Sequence, residues 1–306
     1  VFAAAKAALG VSSVSGLPAT MLPAARAGAR IALENVSLSL PTREGLTEIL
    51  QDVSLDIGAG EFVCLLGPSG SGKSTILNLI AGFATPTKGR VLHAERVVMT
   101  PGPDRAMVFQ DAALFPWLTL RRNVEFPLAI QGVPLAARAA RSEELLRLVH
   151  LWRFRDRRPH ELSGGMRQRG AIARALAADP AVLLMDEPFA ALDAQTREIL
   201  QGEVERIWGA TRKTVIFVTH NVREAVRLAD RVLTLATRPG RVLHEEVIDL
   251  PRPRLANDER VSALSQSIGR RIASEVEKVA REEADDAWSG PAGASRDPKR
   301  NLGRGI

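Results

Sequence analysis

The chain has no tyrosine and a single cysteine, and it lacks any long apolar run; each shortage removes a class of protein. Aromatic residues make up 4% of its 306 positions, and no basic stripe is interleaved with them, so the fingerprints of nucleic-acid modules are missing. One cysteine, Cys64, cannot form an internal disulfide. Within its apolar stretch it reads as a small buried hydrophobe, and a cytosolic compartment fits. No run reaches the roughly 18–20 apolar residues that span a bilayer, so a membrane role must come through a separate partner chain. The net charge of +6 is scattered among carboxylates and implies no specific nucleic-acid partner. What the chain does have is 45% apolar residues, enough for a sizeable core in one large domain or two modest ones.

Residues 1–29 are rich in Ala, Gly, Ser and Pro and read as a disordered extension. Their apolar start with Lys6 resembles a secretory signal but lacks a continuous apolar core. Val1 is not Met, and Met21 is a candidate start. Alternation of apolar and polar residues predicts strands over 31–40 and 50–57, joined by a turn at 42–45. A short continuous apolar strand, 62–66, feeds a glycine loop, and 73–81 has helical spacing. Strands are expected over 91–98 and 105–109, with a Pro/Gly turn at 101–103 between them. Residues 119–158 shift to Leu, Ala, Arg and Glu with helical periodicity, marking an inserted subdomain at about 111–162. Helices at 164–178 and 194–210 then alternate with strands at 181–186 and 214–219. Arg-Pro-Gly between 232–236 and 242–250 signals a hairpin. Residues 258–284 look helical and charged, and 276–306 form a charged, partly disordered tail.

Three motifs carry chemistry. Gly67-Pro68-Ser69-Gly70-Ser71-Gly72-Lys73-Ser74, followed by Thr75, is a phosphate-binding loop between a strand and a helix. Its glycines leave backbone N–H groups pointing at phosphate oxygens, and the helix start adds its positive dipole end. Lys73 reaches the β- and γ-phosphates of ATP, and the Ser74 hydroxyl ligates Mg²⁺. Asp186-Glu187 closes an apolar strand and precedes Pro188. Asp186 suits the metal, and Glu187 suits the general base that polarises the attacking water. Ser163-Gly164-Gly165, within Leu-Ser-Gly-Gly-Met-Arg-Gln-Arg, caps a second helix whose backbone can approach a phosphate closely. Gly170 inside that helix costs roughly 1 kcal/mol against Ala and has no evident reason in the sequence.

In this order the motifs resemble the ATP-binding cassette (ABC) ATPases. The resemblance covers about residues 31–275 and implies an α/β fold. Its core is a RecA-like P-loop NTPase with an antiparallel β subdomain and an inserted α-helical subdomain, together spanning 30–275. It further implies a homodimer that sandwiches ATP and Mg²⁺, with Ser163, Gly164 and Gly165 of one copy closing over the nucleotide held by the other. Gln110, after the strand at 105–109, would touch Mg²⁺ and the attacking water and link the site to the helical insert. Asp193, in Ala191-Leu192-Asp193, matches the loop that couples the two sites, and His220 matches the histidine set against the γ-phosphate. Met166 replaces the glutamine of the commonest family pattern. The family usually stacks adenine on an aromatic residue ahead of the loop; here only Leu40 or Leu46 is available, which predicts weaker preference for adenine over guanine.

The stretch from Asp104 to Pro127 and the Asp-Leu-Pro-Arg-Pro-Arg run from Asp249 are similar to nitrate/sulfonate/taurine-type importer ATPases. That likeness implies transmembrane permease subunits, a periplasmic solute-binding protein and a place on the inner face of the cell membrane. Phe115, Pro116 and Trp117 would either line the groove for a permease helix or pack the helical insert. Other classes compete: an ABC ATPase acting on nucleic acid or the ribosome, a P-loop kinase, or a binding module without turnover. A coiled-coil insertion or a duplicated cassette would mark the first, and neither is present.

Overall fold

A computed structural model describes residues 26–42, 45–255 and 257–288. The predicted extension at 1–29 lies outside these up to residue 25, and the tail lies outside them from residue 289.

Two sheets form the frame. Strands β1 (Ile31–Thr42), β2 (Gly45–Ile57), β4 (Lys88–His93) and β5 (Arg96–Val97) make an antiparallel sheet in the order β2-β1-β4-β5. Strands β3 (Phe62–Leu66), β6 (Arg105–Val108), β7 (Val182–Asp186), β8 (Thr214–Thr219), β9 (Arg231–Leu235) and β10 (Val242–Val247) make the second, in the order β10-β9-β3-β8-β7-β6. All but β10 run parallel. Every residue of β3 is buried, as expected for a central parallel strand covered on both faces. Its side chains alternate between two cores. Val63 and Leu65 pack with Ile76, Leu50 and Ile57 under the antiparallel sheet. Phe62, Cys64 and Leu66 join Phe217, Phe189 and Trp208 on the opposite face. Burying each such side chain contributes about 1.5–3 kcal/mol.

Helix α1 (Lys73–Ala81) follows β3 through the glycine loop. Helices α2 (Leu120–Ile130) and α3 (Leu135–Leu148) form the insert and pack on α4 (Gly164–Ala177). Gly170 now has a reason. A Cβ there would lie 2.7 Å from Leu120 Cδ1 and 3.3 Å from Leu114 Cδ1, so the glycine lets α4 approach the insert closely. Helix α5 (Ala194–Thr211) precedes β8, and α6 (Val222–Leu228) follows it. The Asp-Leu-Pro-Arg-Pro-Arg run acts as a clasp. Buried Arg254 donates to the carbonyls of Leu250, Val226, Ala229 and Ile248, and burial pulls its pKa down to about 10. Helix α7 (Glu259–Trp288) closes the described chain against α6. Among the described residues, no helix is long and apolar enough to cross a membrane.

Three local expectations need correction. The strand expected over 91–98 is a hairpin instead: β4 turns into β5 through Ala94 and Glu95, at φ 46° and 64°. Such turns usually carry Gly or Asn, and neither stands here to mark one. Helix α6 was not expected, because seven residues are too few to show a period, although Asn221 caps it from the N-terminus. The second hairpin strand ends at Val247 rather than at residue 250, as Ile248 N turns to bond Asp230 O at 2.8 Å.

Candidate functional site

In a parallel sheet the carboxyl ends of the strands share one edge, and ligands bind there. Here β3, β8, β7 and β6 are consecutive neighbours, so the loops leaving them converge. The glycine loop leaves β3, His220 leaves β8 and Glu187 leaves β7. Gln110 is exposed, two residues beyond Val108, whose register partner on β7 is Met185.

The loop turns through Gly70 and Gly72 at φ 79° and 80°, and Gly72 begins α1. Ser69 and Gly70 stand exposed at its crest, Gly67 and Ser71 are buried at its base, and Pro68 and Thr75 are half-buried. Lys73 Nζ donates to Gly67 O at 2.8 Å and Pro68 O at 2.7 Å, with Ser71 Oγ at 3.4 Å. The ammonium is thus held inside the loop it serves. Burial pulls its pKa down, while Glu187 and Asp186 push it back up.

The Ser74 hydroxyl donates to Asp186 Oδ1 at 3.0 Å, joining α1 to the end of β7. Burial lifts the Asp186 carboxyl above the usual range; the Ser74 bond opposes this and the neighbouring Glu187 charge adds to it. A divalent cation would offset both the burial and the repulsion. One hydroxyl and one carboxylate form a donor set that fits Mg²⁺, which keeps water and phosphate oxygens as its other ligands. Glu187 has φ 42°, a region costly for a residue with a side chain and frequent at functional sites. Its N–H is held by Val218 O at 3.0 Å, and its Oε2 lies 2.9 Å from His220 Nδ1.

The remaining candidates sit at two helix starts. Ser163 is the N-cap of α4, its Oγ accepting from Met166 N at 3.3 Å. Ser163 and Gly164 are exposed. Gly165 is buried, and a Cβ there would meet Thr196 Cγ2 at 2.4 Å, so it also serves the packing of α4 on α5. Asp193 is the N-cap of α5, its carboxylate accepting from Thr196 N at 3.0 Å. Among the described residues, no hydrogen bond or ion pair joins Ser163, Gly164, Gly165 or Asp193 to the Lys73–Asp186 cluster.

A family model described as "ABC transporter" matches residues 50–190. The taurine import ATP-binding protein TauB of Burkholderia pseudomallei is 50% identical over 236 residues, covering 77% of this chain and 90% of that protein. A TauB of Pseudomonas putida is 48% identical over 221 residues, covering 72% and 84%. The chain belongs to the ABC transporter ATP-binding family. Among solved structures, the ATP-binding cassette MJ0796, a dimer in a post-hydrolysis state bound to ADP and Pi, is similar at a TM-score of 0.65 and 36% identity. The match covers 72% of this chain and all of that one. This ABC protein is therefore an ATPase with the α/β cassette fold expected from its motifs.

For this ABC ATPase, sequence reasoning missed the groups behind His220. Thr219, Glu224 and Gln201 are buried polar residues, and Arg197 is half-buried beside them. The spacing Asn221-x-x-Glu224 was the available signal, since it marks a helix start. Leu40 and Leu46 are exposed at the end of the β1–β2 pair where Thr42 faces Gly45. Aromatic stacking is worth about 1–3 kcal/mol per base. We expect a smaller ATP-over-GTP preference here than in relatives with an aromatic residue, read by paired competition. Equal or stronger discrimination would contradict it.

Proposed function

We propose that two copies of this chain form the ATP-driven engine of an importer for a small anionic solute of the taurine, alkanesulfonate or nitrate type. The observation that carries the shared site is that its halves share no hydrogen bond or ion pair among the described residues. Phosphate cradle, carboxylates and His220 cluster together, while the Ser163 helix start stands exposed elsewhere on the same protomer. A second copy related by twofold symmetry would bring its Ser163 and Gly164–Gly165 amides to the first copy's cradle. The dimeric form of the ATP-binding cassette MJ0796 supports this arrangement.

In the closed pair, loop amides and Lys73 bind the β- and γ-phosphates. Ser74 and Asp186 would hold Mg²⁺, with Gln110 near it from β6. When bound, Mg²⁺ neutralises charge on the phosphate oxygens. Glu187 accepts a proton from water as that water attacks the γ-phosphorus, and the bond to the β–γ bridging oxygen breaks to leave ADP and phosphate. His220, 2.9 Å from Glu187, orients that carboxylate and faces the γ-phosphate. Asp193 starts α5 at the segment that meets the partner protomer. The Ser163 hydroxyl proton and the start of α4 stabilise the charge from across the interface.

The solute class rests on the taurine import relatives. A docking surface for the permease is supported by the insert. Phe115 packs on Phe126 at 4.6 Å and under Arg174, whereas Trp117 is 69% exposed beside it. Phe115 thus serves the packing of the insert and Trp117 offers the contact. The protein would lie in the cytoplasm, peripheral on the inner face of the membrane. Reconstitution with its permease in vesicles tests the reading. ATPase stimulation by a taurine-loaded solute-binding protein is expected; stimulation by DNA or ribosomes instead would favour the non-transport alternative.

A further inference from the structure

His220 leaves β8 between two residues that share one hydrogen-bonding centre. Thr219 Oγ1 accepts from Asn221 N at 3.0 Å and donates to Glu224 Oε2 at 2.7 Å. The turn that carries the imidazole is therefore clamped from behind by a carboxylate on α6. Thr219 is 3% exposed and Glu224 6%. A carboxylate so far from water persists only with partners. Burial lifts its carboxyl, and Thr219, Arg197, His220 and Gln201 work against that lift.

Arg197 supplies the link to a second loop. It sits on the first turn of α5, where its Nη2 donates to Leu192 O at 2.9 Å. Its buried Nε makes no hydrogen bond and lies 3.6 Å from Glu224 Oε1. Leu192 belongs to the loop that descends from Glu187, through Ala190 N to Glu187 O at 3.1 Å and Leu192 N to Phe189 O at 3.2 Å. The His220–Glu187 contact closes a ring: Glu187, loop 190–193, Arg197, Glu224, Thr219, His220 and back. The Arg197–Glu224 contact is its loosest member, a few tenths of an ångström beyond hydrogen-bond distance. A small movement of Leu192 would make or lose that bond. Ala191 and Asp193, on either side of Leu192, are exposed where a second protomer would meet them.

We propose that Glu224 is a positioning residue that ties His220 to loop 190–193 through Arg197, so that the imidazole aligns on Glu187 when that loop is seated. The proposal rests on reading Glu187 and His220 as the hydrolytic pair.

Three variants test it: Glu224→Gln, Arg197→Ala and the two combined. Glu224→Gln keeps an acceptor for Thr219 and removes the charge facing Arg197. Arg197→Ala touches neither Thr219 nor His220 and gives the same readout should Glu224→Gln fail to fold. Each single variant is expected to lower kcat about tenfold with KM changed less than about twofold. The double variant should be no slower than the slower single, because both remove one link. A kcat within about twofold of the unmodified protein, a parallel loss of nucleotide affinity, or losses that multiply in the double variant would overturn the proposal. Glu187→Gln is the control. If it hydrolyses ATP normally, the hydrolytic-pair reading fails and takes the proposal with it. If it is inactive while Glu224→Gln and Arg197→Ala turn over normally, only the link through Glu224 fails.

Discussion

Glu187→Gln removes ATP turnover by about 10²–10⁴-fold and leaves nucleotide binding within a few-fold of the unmodified protein. The substitution is close to isosteric, so an amide oxygen can still meet His220 Nδ1, now 2.9 Å from the carboxylate. What it cannot do is accept a proton from water. The binding apparatus is untouched: Lys73 is anchored on the Gly67 and Pro68 carbonyls, and Ser74 on Asp186. Removing the Glu187 charge also relieves one of the two influences that lift the Asp186 carboxyl, though burial, the larger, remains. With ATP bound and unable to react, the closed pair should persist. Phosphate release reads the first effect, and gel filtration with ATP and Mg²⁺ reads the second as a dimer peak. Turnover at the unmodified rate would reject the general-base assignment.

Ser163→Arg should abolish turnover while each protomer still binds ATP. No hydrogen bond links Ser163 to the protomer's own cradle among the described residues, so the larger part of the loss is expected to act through a second copy. Part of the loss could come from the helix cap, because Ser163 Oγ accepts from Met166 N and losing a cap costs about 1 kcal/mol. Ser163→Asp separates the two causes. Aspartate caps a helix as well as serine does, but it would set a negative charge against the γ-phosphate. Both variants are expected to lose about 10²-fold or more in kcat, as when a preorganised donor to a transition state is removed. Only Ser163→Arg should lose thermal stability. A Ser163→Asp protein with full turnover would place Ser163 outside the reacting site.

How much of this could be read from residues alone depended on the length of each signal. The phosphate loop, α1 and the Asp186-Glu187 strand end were readable because glycine placement and apolar runs act locally. Helix α1 begins and ends where periodicity placed it, at Lys73 and Ala81. The β4–β5 hairpin was hidden because Ala94 and Glu95 adopt left-handed backbone without Gly or Asn. Gly170 made no sense until Leu120 and Leu114 were seen against it. The Arg197–Glu224–Thr219 link joins α5 to α6 across a fold no local pattern encodes. Placing His220 beside Glu187 likewise needed β7 and β8 to be neighbours in register.

The rate of ATP hydrolysis across a dilution series of the unmodified chain bears most directly on whether each nucleotide lies between two protomers. If it does, velocity at low concentration rises with the square of protein concentration, and activity per protomer falls towards zero on dilution. Constant activity per protomer down to concentrations where gel filtration shows only monomer would contradict the shared site.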